Sequence, residues 1–146
     1  MPSAARPVRW LVDGMNVIGS RPDGWWRDRT GAMRRLTREL DAFAAATGDP
    51  VTVVFDGRVR EIEAGRVDVR FARRRGPDAA DDDIAEIAAG DDDPGALRIV
   101  TSDARLAGRV RAAGAEVVGA GELRRRLDAL AAPGEEEPAA SRRGEA

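Results

Sequence analysis

Four short phrases of the chain carry the oxygen-bearing side chains that could do chemistry: Leu11-Val12-Asp13-Gly14-Met15-Asn16, Val54-Phe55-Asp56-Gly57, Ala80-Asp81-Asp82-Asp83-Ile84 and Val100-Thr101-Ser102-Asp103. Asp13 and Asp56 directly follow apolar, β-like runs, Asp103 follows one after two small polar residues, and the triple aspartate opens a helical pattern. A fold that set these phrases along one edge of a parallel sheet would gather carboxylates that repel one another. A hard divalent cation on oxygen ligands is the usual neutraliser, so metal-dependent chemistry is the leading expectation.

Absent residue types narrow the chemistry further. The chain has no His and no Cys, which excludes imidazole and thiolate metal sites, His-dependent nucleases and Ser-His triads. It has no Lys, all 24 positive residues being Arg. A nucleotide-binding loop ending in Gly-Lys-Ser/Thr is therefore excluded, and a phosphoacceptor receiver domain would lack its lysine. Carboxylates and a bound metal remain as the means of activating water.

Each phrase also has an ordinary structural explanation. Asp-Gly after a strand is commonly a turn, Ser-Asp before a helix is commonly a cap, and acids in a first helical turn favour the helix dipole. Asp13 with Asn16 three residues on is poorer packing material, and the coincidence of all four phrases at one end of a sheet carries the functional reading. On the helix that holds the triple aspartate, the apolar face is centred near Ile84, Ile87 and Ala88. At about 100° per residue, Asp81 lies about 60° from that face, Asp83 about 100° and Asp82 about 160°. Asp81 is thus expected to point inward along the sheet edge.

The elements that must position these residues follow from periodicity. Val8 to Val12 reads as a strand, and residues 14 to 28, rich in Gly, Pro and Trp, as a loop. From about Thr30 to Thr47 the positions Met33, Leu36, Leu40, Phe43 and Ala44 recur at helical spacing, and Gly48-Asp49-Pro50 ends the helix. Strands are expected at Val51 to Phe55, Val67 to Ala72, Leu97 to Thr101 and Ala115 to Val118. Helices are expected from Ala79 to Ala89, from Ser102 or Asp103 to about Ala113, and from Glu122 to Leu130. The connection 57–66 is short for a crossover helix, which leaves the direction of the third strand open.

This alternation predicts one α/β domain over residues 6–131, with a mostly parallel sheet of about five strands and helices on both faces. Residues 132–146 are expected to be a disordered acidic tail. A length of 146 residues is that of one domain. No apolar run approaches the roughly 20 residues of a membrane span, and the opening Met1-Pro2-Ser3-Ala4-Ala5-Arg6 lacks an apolar export segment. A cytoplasmic protein without a membrane partner is the expectation.

Net charge is −2, but it is unevenly spread. Arg21 to Arg38 holds six Arg against two acids, Arg58 to Arg75 seven against three, and Gly76 to Asp93 eight acids and no base. Basic patches flanking an acidic centre suit a polyanion whose scissile group sits at a metal. An Arg-rich surface that is merely solvated would give the same counts.

Taken in order, the four phrases resemble the motifs of NYN-domain proteins in the PIN-like nuclease superfamily, and most resemble the bacterial YacP-like branch. The resemblance spans roughly residues 8–131. It implies a small PIN-like, Rossmann-like α/β domain that binds Mg²⁺ or Mn²⁺ and cleaves RNA endonucleolytically. By position it makes Asp13, Asp81 and Asp103 the metal-binding acids, with Asn16 orienting a ligand or water. Asp56 sits where related flap nucleases place a further metal-site acid. Many relatives carry another acid shortly after the last motif, whereas Asp103 here is followed by Ala104-Arg105-Leu106-Ala107. That departure points to one held ion rather than two.

The expected reaction is hydrolysis of an RNA phosphodiester by a metal-activated water, with Asp56 or Asp82 supporting the ligands or a weaker second ion. Arg73, Arg74 and Arg75 stand just before the acidic helix, where they would grip phosphates or form a solvated loop. Trp25 and Trp26 would stack on unpaired bases or pack as a lid on the core. RNA is the implied partner, mRNA or rRNA, with the ribosome as one setting. The competing readings are a non-catalytic RNA-binding or ribosome-associated module and a PIN-type toxin. A haloacid-dehalogenase-type phosphatase would need an Asp where Met15 stands and a lysine the chain lacks.

Overall fold

Runs of β-branched, aromatic and leucine side chains build the sheet of the computed structural model, which describes residues 7–73, 76 and 78–131. The strands are β1 (Arg9–Asp13), β2 (Val51–Phe55), β3 (Asp68–Phe71), β4 (Leu97–Val100) and β5 (Glu116–Val118). They form one five-stranded sheet in the order β3-β2-β1-β4-β5, and every neighbouring pair is parallel. Helices α1 (Gly14–Gly19), α2 (Arg29–Thr47), α3 (Ala79–Ala89), α4 (Ala104–Ala112) and α5 (Ala120–Ala131) cover both faces.

The two-residue period of the strands divides the core into two layers. Trp10, Val12, Val51, Val53 and Phe55 face α1, α2 and α5, where Met33, Leu36, Leu40, Phe43 and Leu123 meet them. Leu11, Val54, Leu97 and Ile99 face α3 and α4, where Ile84, Leu106 and Val110 close the second layer. The chain leaves the centre toward β2 and β3, then returns past β1 to β4 and β5. The reversal at β1 makes the C-terminal ends of β1 and β4 the switch point of the sheet, where such folds open a crevice.

One feature departs from the sequence reading, and a second settles a point it left open. Residues 14 to 28 are not all loop, because α1 starts directly after Asp13 and a single 3₁₀ turn spans Trp25–Arg27. Burial of Val17 and Ile18 holds this short helix against the sheet. Its first residue must be small, since a Cβ on Gly14 would lie 2.5 Å from Cδ1 of Phe55. The phrases around Asp13 and Asp56 are therefore packed against each other through Gly14 and Phe55.

The second feature is the path into β3, which runs parallel to β2 without a crossover helix. Asp41 of α2 replaces the missing helix as an anchor. Its carboxylate accepts the backbone N–H groups of Gly65, Arg66 and Val67 at 3.0, 2.9 and 3.0 Å. Three donors that a helix would have satisfied internally are taken up by one side chain.

The remaining boundaries lie close to expectation. α2 is capped by Asp28, whose side chain accepts Gly31 N–H at 2.9 Å, and ends at Gly48, where φ is +77°. α5 begins at Ala120, two residues before the expected start, because Ser102 Oγ accepts the Ala120 N–H at 2.9 Å. Among the described residues no helix is long and apolar enough to cross a membrane. The acidic tail expected over 132–146 lies outside the described residues.

Candidate active site

Asp13 is the last residue of the central strand and is 4% exposed. Although it stands at the start of α1, its side chain does not cap that helix. It turns across to the neighbouring strand, where Val12 is in register with Val100 and the next residue is Thr101. Thr101 Oγ1 donates to Asp13 Oδ2 at 2.9 Å and accepts the Asp103 N–H at 3.1 Å. The hydroxyl thus ties the first acidic phrase to the last.

Each of the other acids is placed by a bond to the fold. Asp103 caps α4, with Oδ1 accepting Leu106 N–H at 3.0 Å. Asp56 leaves β2 and accepts Ala80 N–H on Oδ1 at 2.9 Å, which holds the start of α3 to the sheet edge. Asp81, in the first turn of α3, is half-buried. Asn16 Oδ1 accepts Ser102 N–H at 2.8 Å, and Ser102 caps α5, so one chain of contacts locks three loops.

Electrostatics make Asp13, Asp56, Asp81 and Asp103 one group. Burial foremost pushes the Asp13 carboxyl up to about 7; the Thr101 hydrogen bond opposes this, while Asp81, Asp56 and Asp103 add to it. Burial also leads the shift of Asp81 to about 6, reinforced by Asp103, Asp78 and Asp56 and opposed by Arg109. These are carboxylates short of positive charge.

The donor chemistry fits a hard divalent cation. All four side chains offer oxygen, Asp13, Asp56 and Asp103 each spend only one oxygen on the fold, and no basic side chain pairs with Asp13 among the described residues. The acids line an edge rather than a closed cage: among the described residues no three of them are drawn together as a finished metal-binding group.

The triple aspartate divides differently from the helical-wheel expectation. Asp83, at 7% exposure, is the buried member, because its Oδ2 accepts the Arg73 N–H at 2.9 Å and Arg73 Nε lies 3.4 Å from Oδ1. Asp82 pairs with Arg109 of α4 at 2.9 Å. Asp81 alone of the three presses on Asp13. The wheel ranked burial against the α3 core, whereas the loop after β3 creates a second buried surface that periodicity does not register.

The expected RNA contacts also divide. Arg73 is ion-paired with Glu86 and Asp83 of α3, so its guanidinium is already engaged. Arg74 and Arg75 lie outside the described residues. Trp25 packs partly on the core, while Trp26 is 54% exposed, and their rings meet edge to face with centroids 5.9 Å apart. The two tryptophans are thus placed differently, one against the core and the other toward solvent.

Sequence reasoning missed Thr101 and Ser102 as organisers, although both lie in a quoted phrase. The signal was two hydroxyls at the end of a buried strand beside an acidic one, which calls for a partner across the strand pair.

Compared with known proteins, the chain matches the YacP-like NYN domain over residues 10–145. Its structure is similar to two crystal structures of Rae1 (YacP) from Bacillus subtilis, both at 27% sequence identity. One, a tryptophan-to-leucine mutant, gives a TM-score of 0.73 with 88% of this chain and 79% of that chain covered. The other gives 0.71, with 87% and 77% covered. No curated protein matches.

Proposed function

The chain belongs to the YacP-like NYN-domain family, and on that premise we propose that it is an endoribonuclease, hydrolysing RNA phosphodiester bonds with Mg²⁺ or Mn²⁺ at the acidic edge. One observation carries the reading. Asp13 is sealed at the end of the central strand with its carboxyl near 7, three further acids press on it, and no basic side chain among the described residues balances it. A protein with no use for a cation gains nothing from that concentration of like charge.

In this reading Asp13, Asp81 and Asp103 hold the ion, which when bound lowers the pKa of a water nucleophile and neutralises charge at the phosphorus centre. Thr101 keeps Asp13 turned along the edge through its 2.9 Å bond. Asn16 clamps the backbone at Ser102 and so fixes the approach to Asp103. Asp56 keeps the start of α3 against β2, which aims Asp81 at the same edge. Asp82 acts through its pair with Arg109 on the neighbouring helix. Arg73, Arg74 and Arg75 precede α3 in the sequence and are the proposed grip on phosphates, and Trp26, in edge-to-face contact with Trp25, offers a stacking surface to unpaired bases. The substrate is mRNA or rRNA in the cytoplasm, free or on the ribosome.

The test is cleavage of labelled single-stranded and structured RNAs with Mg²⁺, Mn²⁺ or EDTA, alongside Asp13→Asn and Asp81→Asn. Metal-dependent cutting lost in both variants supports the assignment. The absence of an acid in Ala104-Arg105-Leu106-Ala107 favours a second reading, an RNA-binding module without turnover. RNA binding in EDTA that survives both substitutions, with no cutting under any metal, would establish that one instead.

A further inference from the structure

α2 ends at Thr47 and β2 begins at Val51, so the helix runs back across the sheet and its first turn lies toward the C-terminal strand edge, the edge at which Asp13 ends β1 and Asp56 follows β2. At 19 residues α2 is roughly 28 Å long, well beyond the span of a five-residue strand, so its start projects past that edge. Arg29 opens the helix, its guanidinium 5.6 Å from the Trp25 ring centroid. The turn after Asp56 comes to the same place. A Cβ on Gly57 would lie 3.6 Å from Arg60 Nη1, and that nitrogen is also 3.6 Å from Met33 Sδ of α2.

Arg60 is an unbalanced cation. Its Nε is buried and has no hydrogen-bond partner, although guanidinium donors rarely go unused inside a fold. Burial lowers its pKa, and Arg58 and Arg29 lower it further. Those two arginines are therefore close enough to repel it. Among the described residues no carboxylate is ion-paired with Arg29, Arg58 or Arg60, whereas Arg9, Arg21, Arg70, Arg73, Arg98 and Arg109 each hold one.

We propose that Arg29, Arg58 and Arg60 form a subsite for a backbone phosphate of single-stranded RNA, next to the acidic edge and separate from it. An anion at this cluster relieves the repulsion among the three guanidinium groups, whose outer nitrogens match phosphate oxygens in paired bonds. The adjoining Trp26, 54% exposed with Arg27 at 5.7 Å from its ring centroid, gives the neighbouring base a face to stack on. A strand held at this point is led toward the acids by the turn that carries Asp56. The subsite rests on RNA being the substrate, and its test is independent of cleavage.

The measurement is fluorescence anisotropy of an end-labelled single-stranded RNA in EDTA across a salt series, using the full chain. Arg58→Gln and Arg60→Gln are compared with Arg111→Gln, which removes an exposed charge on α4. Each patch variant is expected to weaken binding about five- to tenfold and to flatten the log–log salt slope by about 0.7, the loss of one phosphate contact. Arg111→Gln should leave both close to wild type. Patch variants indistinguishable from Arg111→Gln, or a wild type that does not bind, overturn the subsite whatever the cleavage assay gives. Weakened patch variants with no cutting under any metal keep the subsite and remove the nuclease. Displacement of RNA by micromolar inorganic phosphate or adenosine monophosphate would mark a small-anion pocket and also overturns the proposal. Arg58 is exposed, so its variant remains informative if Arg60→Gln folds poorly.

Discussion

Thr101 donates its hydroxyl proton to Asp13 Oδ2 across 2.9 Å, a bond between residues 88 apart in sequence. The Thr101 hydroxyl oxygen in turn accepts the Asp103 N–H. Thr101→Val keeps the shape and removes both contacts, leaving a buried acceptor and a partly buried donor unpaired, at a cost of about 1–3 kcal/mol. The carboxyl of Asp13 should also titrate higher, because the lost bond was holding it down. Urea unfolding and an NMR titration of Asp13 check both effects, and Thr101→Ser should restore them. An unchanged titration in the valine variant would break the link.

Asp13 near 7 and Asp81 near 6 both lie above the ordinary aspartate value of 3.8. Such groups bind more protons folded than unfolded. Their contribution to stability is full below that ordinary value and is lost as pH rises through about 6 and 7. In chelator, Asp13→Asn should therefore melt increasingly above the wild type as pH climbs from 4 to 8. Added Mg²⁺ should reverse the order at pH 8, since only the wild type retains the carboxylate. A melting difference that is flat across this range would show that Asp13 titrates normally.

Gly14 admits no side chain beside Phe55, with a Cβ placed 2.5 Å from the ring. Gly14→Ala is expected to destabilise the protein by about 1–3 kcal/mol through overpacking, and to cut activity by disturbing the turn that follows Asp13. Phe55→Leu in the same chain should recover part of the stability. Thermal melts of the two single variants and the double variant measure the coupling, and simple additivity would count against direct contact.

Asp41 anchors the path into β3 with three accepted N–H groups. Asp41→Ala should cost about 1–3 kcal/mol and accelerate hydrogen exchange at residues 65–67 and along β3, while β1 and β4 stay protected. Exchange that rises equally over the whole sheet would mean that this connection does not open on its own.

Elements governed by repetition were legible in the sequence. β2 and α3 have the bounds their patterns indicate, and α2 differs by one residue at its start, because a long apolar stripe or a solid β-branched run leaves little choice. α1 was not legible, since six residues with a glycine at each end carry no usable period and fold only because Val17 and Ile18 find the core. The direction of β3 was left open because residues 57–66 carry no periodic pattern, and the side chain that anchors this path, Asp41, belongs to another element. In the site, the four acids could be named from their phrases. The division of labour among Asp81, Asp82 and Asp83, and the prior engagement of Arg73, depended on neighbours distant in sequence.

The central position of β1 between β2 and β4 also sets an order of events during synthesis. Asp13 is made early, yet it can meet neither Thr101 nor Asp103 until β4 has emerged and docked beside it. A shorter nascent chain can pair β1 with β2 and bury part of one core layer, but it carries only fragments of the acidic edge. If the edge cuts RNA, the growing polypeptide is harmless to its own message until nearly the whole domain has been translated.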